Sequence, residues 1–120
     1  MTDAGASAGR ESAVSGVDRR DGAVVLSLAG ELDLYNAPIL REALGAAVEQ
    51  PPRRLVVDLA DVSFVDSTAL GVLLEARGVL RDRDDFVLAA PGAETRRTLQ
   101  VSGLDRHIRV ADTVEGALAD

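Results

Sequence analysis

The hydrophobic period changes twice between residues 23 and 59, and this constrains the fold more than any other feature of the chain. In AVVLSLAG (23–30), Val24, Leu26 and Leu28 fall on one side and Val25, Ser27 and Ala29 on the other. Both sides are largely apolar, as in a strand covered on both faces. The period then lengthens. Ile39/Leu40, Ala43/Leu44 and Ala47/Val48 recur every four residues, which is the stripe of an amphipathic helix. Asn36 is placed as its N-cap and Pro38 falls in the first turn, where a missing N–H costs nothing. Pro51 and Pro52 stop the helix. LVVDL (Leu55 to Leu59) returns to a short apolar run and reads as a buried strand. A helix between two buried strands implies a crossover and a parallel pair.

The rest of the chain extends this unit. AVSGV, from Ala13, is a weak strand, and Arg19 to Gly22 is a turn, so the first two strands form a hairpin. ADVSFVDST (60–68) reads as a connection. TALGVLLEARGVLRDR is the next helix, with Leu70, Leu73, Leu74 and Leu80 on its inner face and Gly71 and Gly78 allowing close approach to the sheet. RDRDD is a solvated turn. Phe86 to Ala90 is a third crossover strand, and AETRRTLQVS is a helix ended by Gly103 as C-terminal cap. His107 to Val110 is a short edge strand, and a final helix is capped by Thr113. The order ββαβαβαβα predicts an α/β fold, one mixed β-sheet with helices packed on it. Residues 1–12 are small and polar and are expected to be a mobile tail before a single domain over 13–120.

Composition limits the chemistry. The chain has 120 residues and a formal charge of −7, a length that suits one domain. It has no Cys, so a disulfide frame, a zinc knuckle and a thiol nucleophile are excluded. Every basic residue is Arg, which removes a P-loop lysine, a Schiff-base lysine and the lysine of a phospho-aspartate receiver. His107 is the only histidine, so a multi-histidine metal site is impossible. Tyr35, Phe64 and Phe86 are the only aromatics, too few for a base-stacking platform, and the acidic balance disfavours phosphate backbones. No apolar run approaches the ~18–20 residues of a membrane span, and the N-terminus does not read as a signal peptide. A cytoplasmic protein without nucleic-acid or membrane partners, and without a cofactor, is expected.

The strongest candidate for chemistry is SFVDSTALG, Ser63 to Gly71. It places Asp66, Ser67 and Thr68 where a loop enters a helix. Unpaired N–H groups and a partial positive charge at a helix start accommodate an anion, so Ser67 is a physically suitable phosphorylation site. Asp, Ser and Thr are also the usual N-caps, and capping alone accounts for the same triplet. Other candidates are weaker. Ser67, His107 and an Asp make a catalytic triad only on paper, because the G-x-S-x-G elbow is missing. Asp82, Asp84 and Asp85 lack the Gly and the twelfth-position Glu of a calcium loop. Arg96 and Arg97 form an exposed helix face, and Asp33 starts the turn into the first helix.

GELDLYNAPILREAL (Gly30 to Leu44), LVVDLADVSFVDSTALGVLLEA (Leu55 to Ala76) and VSGLDRHIRV (Val101 to Val110) resemble the anti-sigma factor antagonists, which share the STAS domain. The resemblance runs over about residues 13–118 and centres on the D-S-[ST]-G-L-G element. It implies a protein that binds an anti-sigma factor with serine kinase activity and so releases a sigma factor. It implies that the kinase phosphorylates Ser67 and that a metal-dependent serine phosphatase restores it. Asp66 then precedes the phosphosite, Thr68 is the neighbouring hydroxyl, and Asp33 matches an acidic position near the partner's nucleotide pocket. Asp33, Asp66, Thr68, Ala69 and Gly71 are the expected partner-binding positions. Ala69 stands where the family has Gly, and its methyl group is expected to crowd a kinase that needs close backbone approach. Two competing readings are a STAS interaction module of a transporter or signalling assembly that is never phosphorylated, and a small hydrolase using Ser67.

Overall fold

The computed structural model describes residues 13–80, 82 and 85–119. The expected tail at 1–12, and residues 81, 83 and 84 of the expected RDRDD turn, lie outside the described residues. Strands β1 (Val14–Arg20) and β2 (Ala23–Leu32) form an antiparallel hairpin. Its two-residue turn is Asp21-Gly22, with φ of +51° and +84°. Positive φ at both central residues is what a type I′ turn requires, and that turn matches the twist of the paired strands.

Three crossovers follow. Helix α1 (Ala37–Glu49) leads to β3 (Arg54–Val65), α2 (Ser67–Val79) leads to β4 (Phe86–Ala89), and α3 (Ala93–Ser102) leads through a 3₁₀ turn (Leu104–Arg106) to β5 (Arg109–Ala111). Helix α4 (Val114–Leu118) is the last element. The strand order is β1-β2-β3-β4-β5, with only β1 antiparallel to its neighbour. Right-handed crossovers that step along a sheet in one direction put their helices on one face. The packing agrees. Val24, Leu26, Leu28, Leu55, Val57, Phe86 and Leu88 meet Leu40 and Leu44 of α1, Leu70 and Leu73 of α2, and Leu99 of α3 in one core. Val25, Val56, Val87 and Ala89 point the other way, against Ala117 of α4. The fold is the mixed-sheet α/β domain that the sequence predicts.

Several local expectations change. Strand β3 does not stop at Leu59. Residues 60–65 continue it, because β2 also runs on and supplies a ladder as far as Leu32 opposite Val65. The last strand begins at Arg109 rather than His107, which lies in the turn before it. Leu74 and Ile39 face outward. The buried side of α2 is Ala69, Leu70, Val72, Leu73 and Ala76, and Gly71 and Gly78 lie on its solvent side, where an added Cβ would meet nothing within 4 Å. These glycines therefore do not bring α2 closer to the sheet. Gly103 does cap α3, with a left-handed φ of +79°. Thr113 caps α4, its Oγ1 accepting from the Gly116 N–H at 2.9 Å.

Candidate functional site

The extension of β2 and β3 sets the site. The two strands run in parallel and finish side by side at Leu32 and Val65. The Asp66 N–H donates to the Leu32 carbonyl at 3.0 Å, so the chain leaves the sheet still tied to β2. Asp66 is extended (φ −99°, ψ 178°), and helix α2 starts at Ser67. The Asp66 carboxylate is shared between two elements. Oδ1 accepts from the Ala69 N–H at 3.0 Å, the ordinary cap of a first helical turn. Oδ2 accepts from the Leu34 N–H at 3.0 Å, across 32 residues of sequence.

The β2–α1 loop, residues 33–36, is built by two polar side chains. Asp33 Oδ1 accepts from the N–H groups of Tyr35 and Asn36, at 3.0 and 3.2 Å. Asn36 Oδ1 accepts from the Asp33 N–H at 2.8 Å, and Asn36 Nδ2 donates to the Glu31 carbonyl at 2.6 Å. Asn36 is buried and stands at the head of α1, but its side chain makes no cap bond to that helix. Asn36 is thus the N-cap residue by position, as expected, its carbonyl accepting from the Leu40 N–H, while its side chain turns back on the loop to satisfy Asp33 and Glu31. Asp33 is half-buried, with one oxygen committed to this turn.

The expected site residues divide by exposure. Ser67 and Gly71 are exposed, while Thr68 and Asp66 are half-buried. Ala69 is fully buried in the main core. Its methyl group faces the sheet and its N–H is taken by Asp66. Helix geometry turns the third residue of α2 inward, so the Ala69 methyl group lies in the core.

Sequence reasoning missed the apolar rim. Leu34 is 62% exposed, Tyr35 84% and Phe64 48%. Leu34 is bonded to Asp66, and Phe64 precedes Asp66 by two residues, opposite Glu31 of β2. The sequence carries a signal for Phe64, two residues before Asp66, and none for Tyr35, which lies 31 residues before it in the chain.

His107 does not join Ser67. It is exposed, and its carbonyl accepts from Arg77 Nη1 at 2.8 Å, near the C-terminal end of α2. Ten residues of helix separate Arg77 from Ser67, a rise of about 15 Å. The triad drawn on paper is thus broken. Arg96 pairs with Asp112 at 2.9 Å on the surface. Among the described residues, no group of three or more His, Asp or Glu side chains is placed to hold a metal ion.

Residues 16–117 match the STAS domain. The chain belongs to the STAS domain family. The anti-sigma-F factor antagonist RsfB of Mycobacterium tuberculosis is 38% identical over 98 residues, covering 82% of this chain and 80% of that protein. The crystal structure of an anti-sigma factor antagonist from Mycobacterium paratuberculosis superposes with a TM-score of 0.81 at 36% identity, over 88% of this STAS chain and 91% of the other. SpoIIAA of Bacillus, an anti-sigma factor antagonist, is 26% identical. Its unphosphorylated form gives a TM-score of 0.70 over 86% of this chain and 91% of its own, and its phosphorylated form gives 0.63 over 86% and 95%. Among the described residues of this STAS domain no helix is long and apolar enough to cross a membrane.

Proposed function

We propose that this STAS protein is an anti-sigma factor antagonist. It binds an anti-sigma factor that is also a serine kinase, through the face around Ser67, and so frees a sigma factor. Phosphorylation of Ser67 by that kinase switches it off, and a serine phosphatase switches it on again. One observation carries this reading: an exposed hydroxyl opens the first turn of α2, next to the Asp66 cap whose second oxygen holds the Leu34 N–H, with Leu34, Tyr35 and Phe64 exposed in the segments that meet there. The relatives' names support the antagonist role, and SpoIIAA exists in both phosphorylated and unphosphorylated forms.

The physics of the switch follows from charge. A phosphate adds about −1.5 to −2 charge at pH 7. It would arrive next to Asp66 on a chain already at −7. The helix N-terminus offsets part of this locally, so the fold is expected to stay. A partner fitted to a neutral serine would meet a dianion instead. Like-charge juxtaposition across an interface costs several kcal/mol, and each ~1.4 kcal/mol is tenfold in affinity. The loss is therefore about a hundredfold or more. In this reading Asp33, Thr68 and Gly71 border the docking face, and Ala69 contributes through the core rather than by contact. The protein acts in the cytoplasm, where its kinase and sigma factor are.

The test is incubation with a serine-kinase anti-sigma factor from the same genome and ATP, followed by intact-mass analysis and site mapping. The expected result is a gain of one phosphate, at Ser67. No gain of mass would leave the competing reading, a STAS interaction module that is never phosphorylated.

A further inference from the structure

We infer that Asp66 is the positioning residue of the docking face: its two carboxylate oxygens tie the backbone of the Leu34–Tyr35 loop to the head of α2, so that the loop carrying both exposed apolar side chains is held against the helix that starts at Ser67. This rests on the reading of the Ser67 face as the docking surface. The argument is a division of labour within one side chain. Capping α2 needs one oxygen, and Oδ1 supplies it to Ala69. Oδ2 does something that capping does not require: it accepts from Leu34, on a different element, 32 residues away. The loop's internal bonds, from Asp33 and Asn36, fix its shape. They tie it to itself and to Glu31 at the end of β2. The Leu34–Asp66 bond ties it to the helix that carries Ser67.

The consequence for docking follows from entropy. Leu34 and Tyr35 are 62% and 84% exposed, so core packing does not hold their side chains in place. A contact surface that must be ordered at the moment of binding loses affinity to that ordering, and preorganisation removes the loss. An ionised carboxylate is a strong acceptor for a backbone N–H. Asp is therefore distinguished here from the other good N-caps. Ser at this position would cap α2 equally well but would have no second oxygen for Leu34.

The separating variant is Asp66→Ser, with Asp66→Asn as a second route, since Asn keeps a single carbonyl oxygen. The first measurement needs only the isolated protein: amide hydrogen exchange by NMR, with urea unfolding alongside. In Asp66→Ser the Leu34 amide should exchange about tenfold faster, with the Ala69 amide and the unfolding midpoint close to wild type. The second measurement is binding of the serine-kinase anti-sigma factor from the same genome, where affinity should fall about tenfold. Unchanged exchange at Leu34 in Asp66→Ser would overturn the inference, and so would faster exchange there with unaltered affinity; in Asp66→Asn the single carbonyl oxygen serves either Leu34 or Ala69, and unchanged exchange at both would overturn it. Should wild type itself not bind that anti-sigma factor, the functional reading fails while the exchange measurement still decides whether Asp66 holds the loop. Should Asp66→Ser fold poorly, the same exchange and binding comparison is made on Asp66→Asn.

Discussion

Replacing Ala69 by the glycine that the family motif carries separates stability from recognition. The methyl group of Ala69 is fully buried against the core. Withdrawing one buried carbon group costs about 0.8 kcal/mol in transfer free energy. Glycine inside a helix adds about 0.5–1 kcal/mol through backbone entropy. Ala69→Gly is therefore expected to destabilise the domain by roughly 1.3–1.8 kcal/mol. At about 3–5 °C per kcal/mol for a domain of this size, Tm falls by roughly 4–9 °C. Urea unfolding should show a lower midpoint with an unchanged slope. The rate of phosphate incorporation at Ser67, measured well below the unfolding transition, should stay within about twofold of wild type, because the methyl group faces the sheet and not the visitor. A stable Ala69→Gly protein that is phosphorylated many times faster would refute the reasoning, since it would place that methyl group in the path of the kinase.

Other expectations are simpler. Ser67→Ala should retain binding to the anti-sigma factor and accept no phosphate, whereas Ser67→Asp should weaken binding; phosphate persisting in Ser67→Ala by intact mass would move the site elsewhere. Leu34→Ser combined with Tyr35→Ser should reduce affinity at least tenfold in a titration while shifting the urea midpoint little, because both side chains lie largely in solvent. Gly103→Ala should cost about 1 kcal/mol in the same unfolding assay, since φ is +79° there and a Cβ is strained even with open space around it.

The sequence carries its local chemistry openly and its long-range closures hardly at all. The hairpin turn, expected over Arg19 to Gly22 and found at Asp21-Gly22 with Arg19 and Arg20 in the strand, the Gly103 and Thr113 caps and the buried run Leu55 to Leu59 are each decided by a few neighbouring residues. The length of β3 is not, because residues 60–65 stay extended only where β2 supplies a partner ladder. The orientation of α2 was read from its leucines, yet Ala69, Val72 and Ala76 share its inner face and Leu74 does not. Small side chains weigh little in a hydrophobic pattern even when they sit where packing is tightest. At the site, the D-S-T element announces a cap without saying which of its residues supplies it, and the helix begins at Ser67, one residue before the expected Thr68, with Asp66 as the cap. Its second bond, to Leu34, depends on two loops meeting at one end of the sheet, and no local spacing encodes that meeting.

The strands succeed one another across the sheet without a reversal, and each connecting helix passes over the same side. In doubly wound sheets a crevice opens where successive connections part to opposite sides, and small molecules lodge there. Here the connections never part. The strand tips at Leu32 and Val65 therefore have no such topological crevice beside them. On the reading proposed above, that end of the sheet offers the Ser67 hydroxyl and the kinase brings the nucleotide.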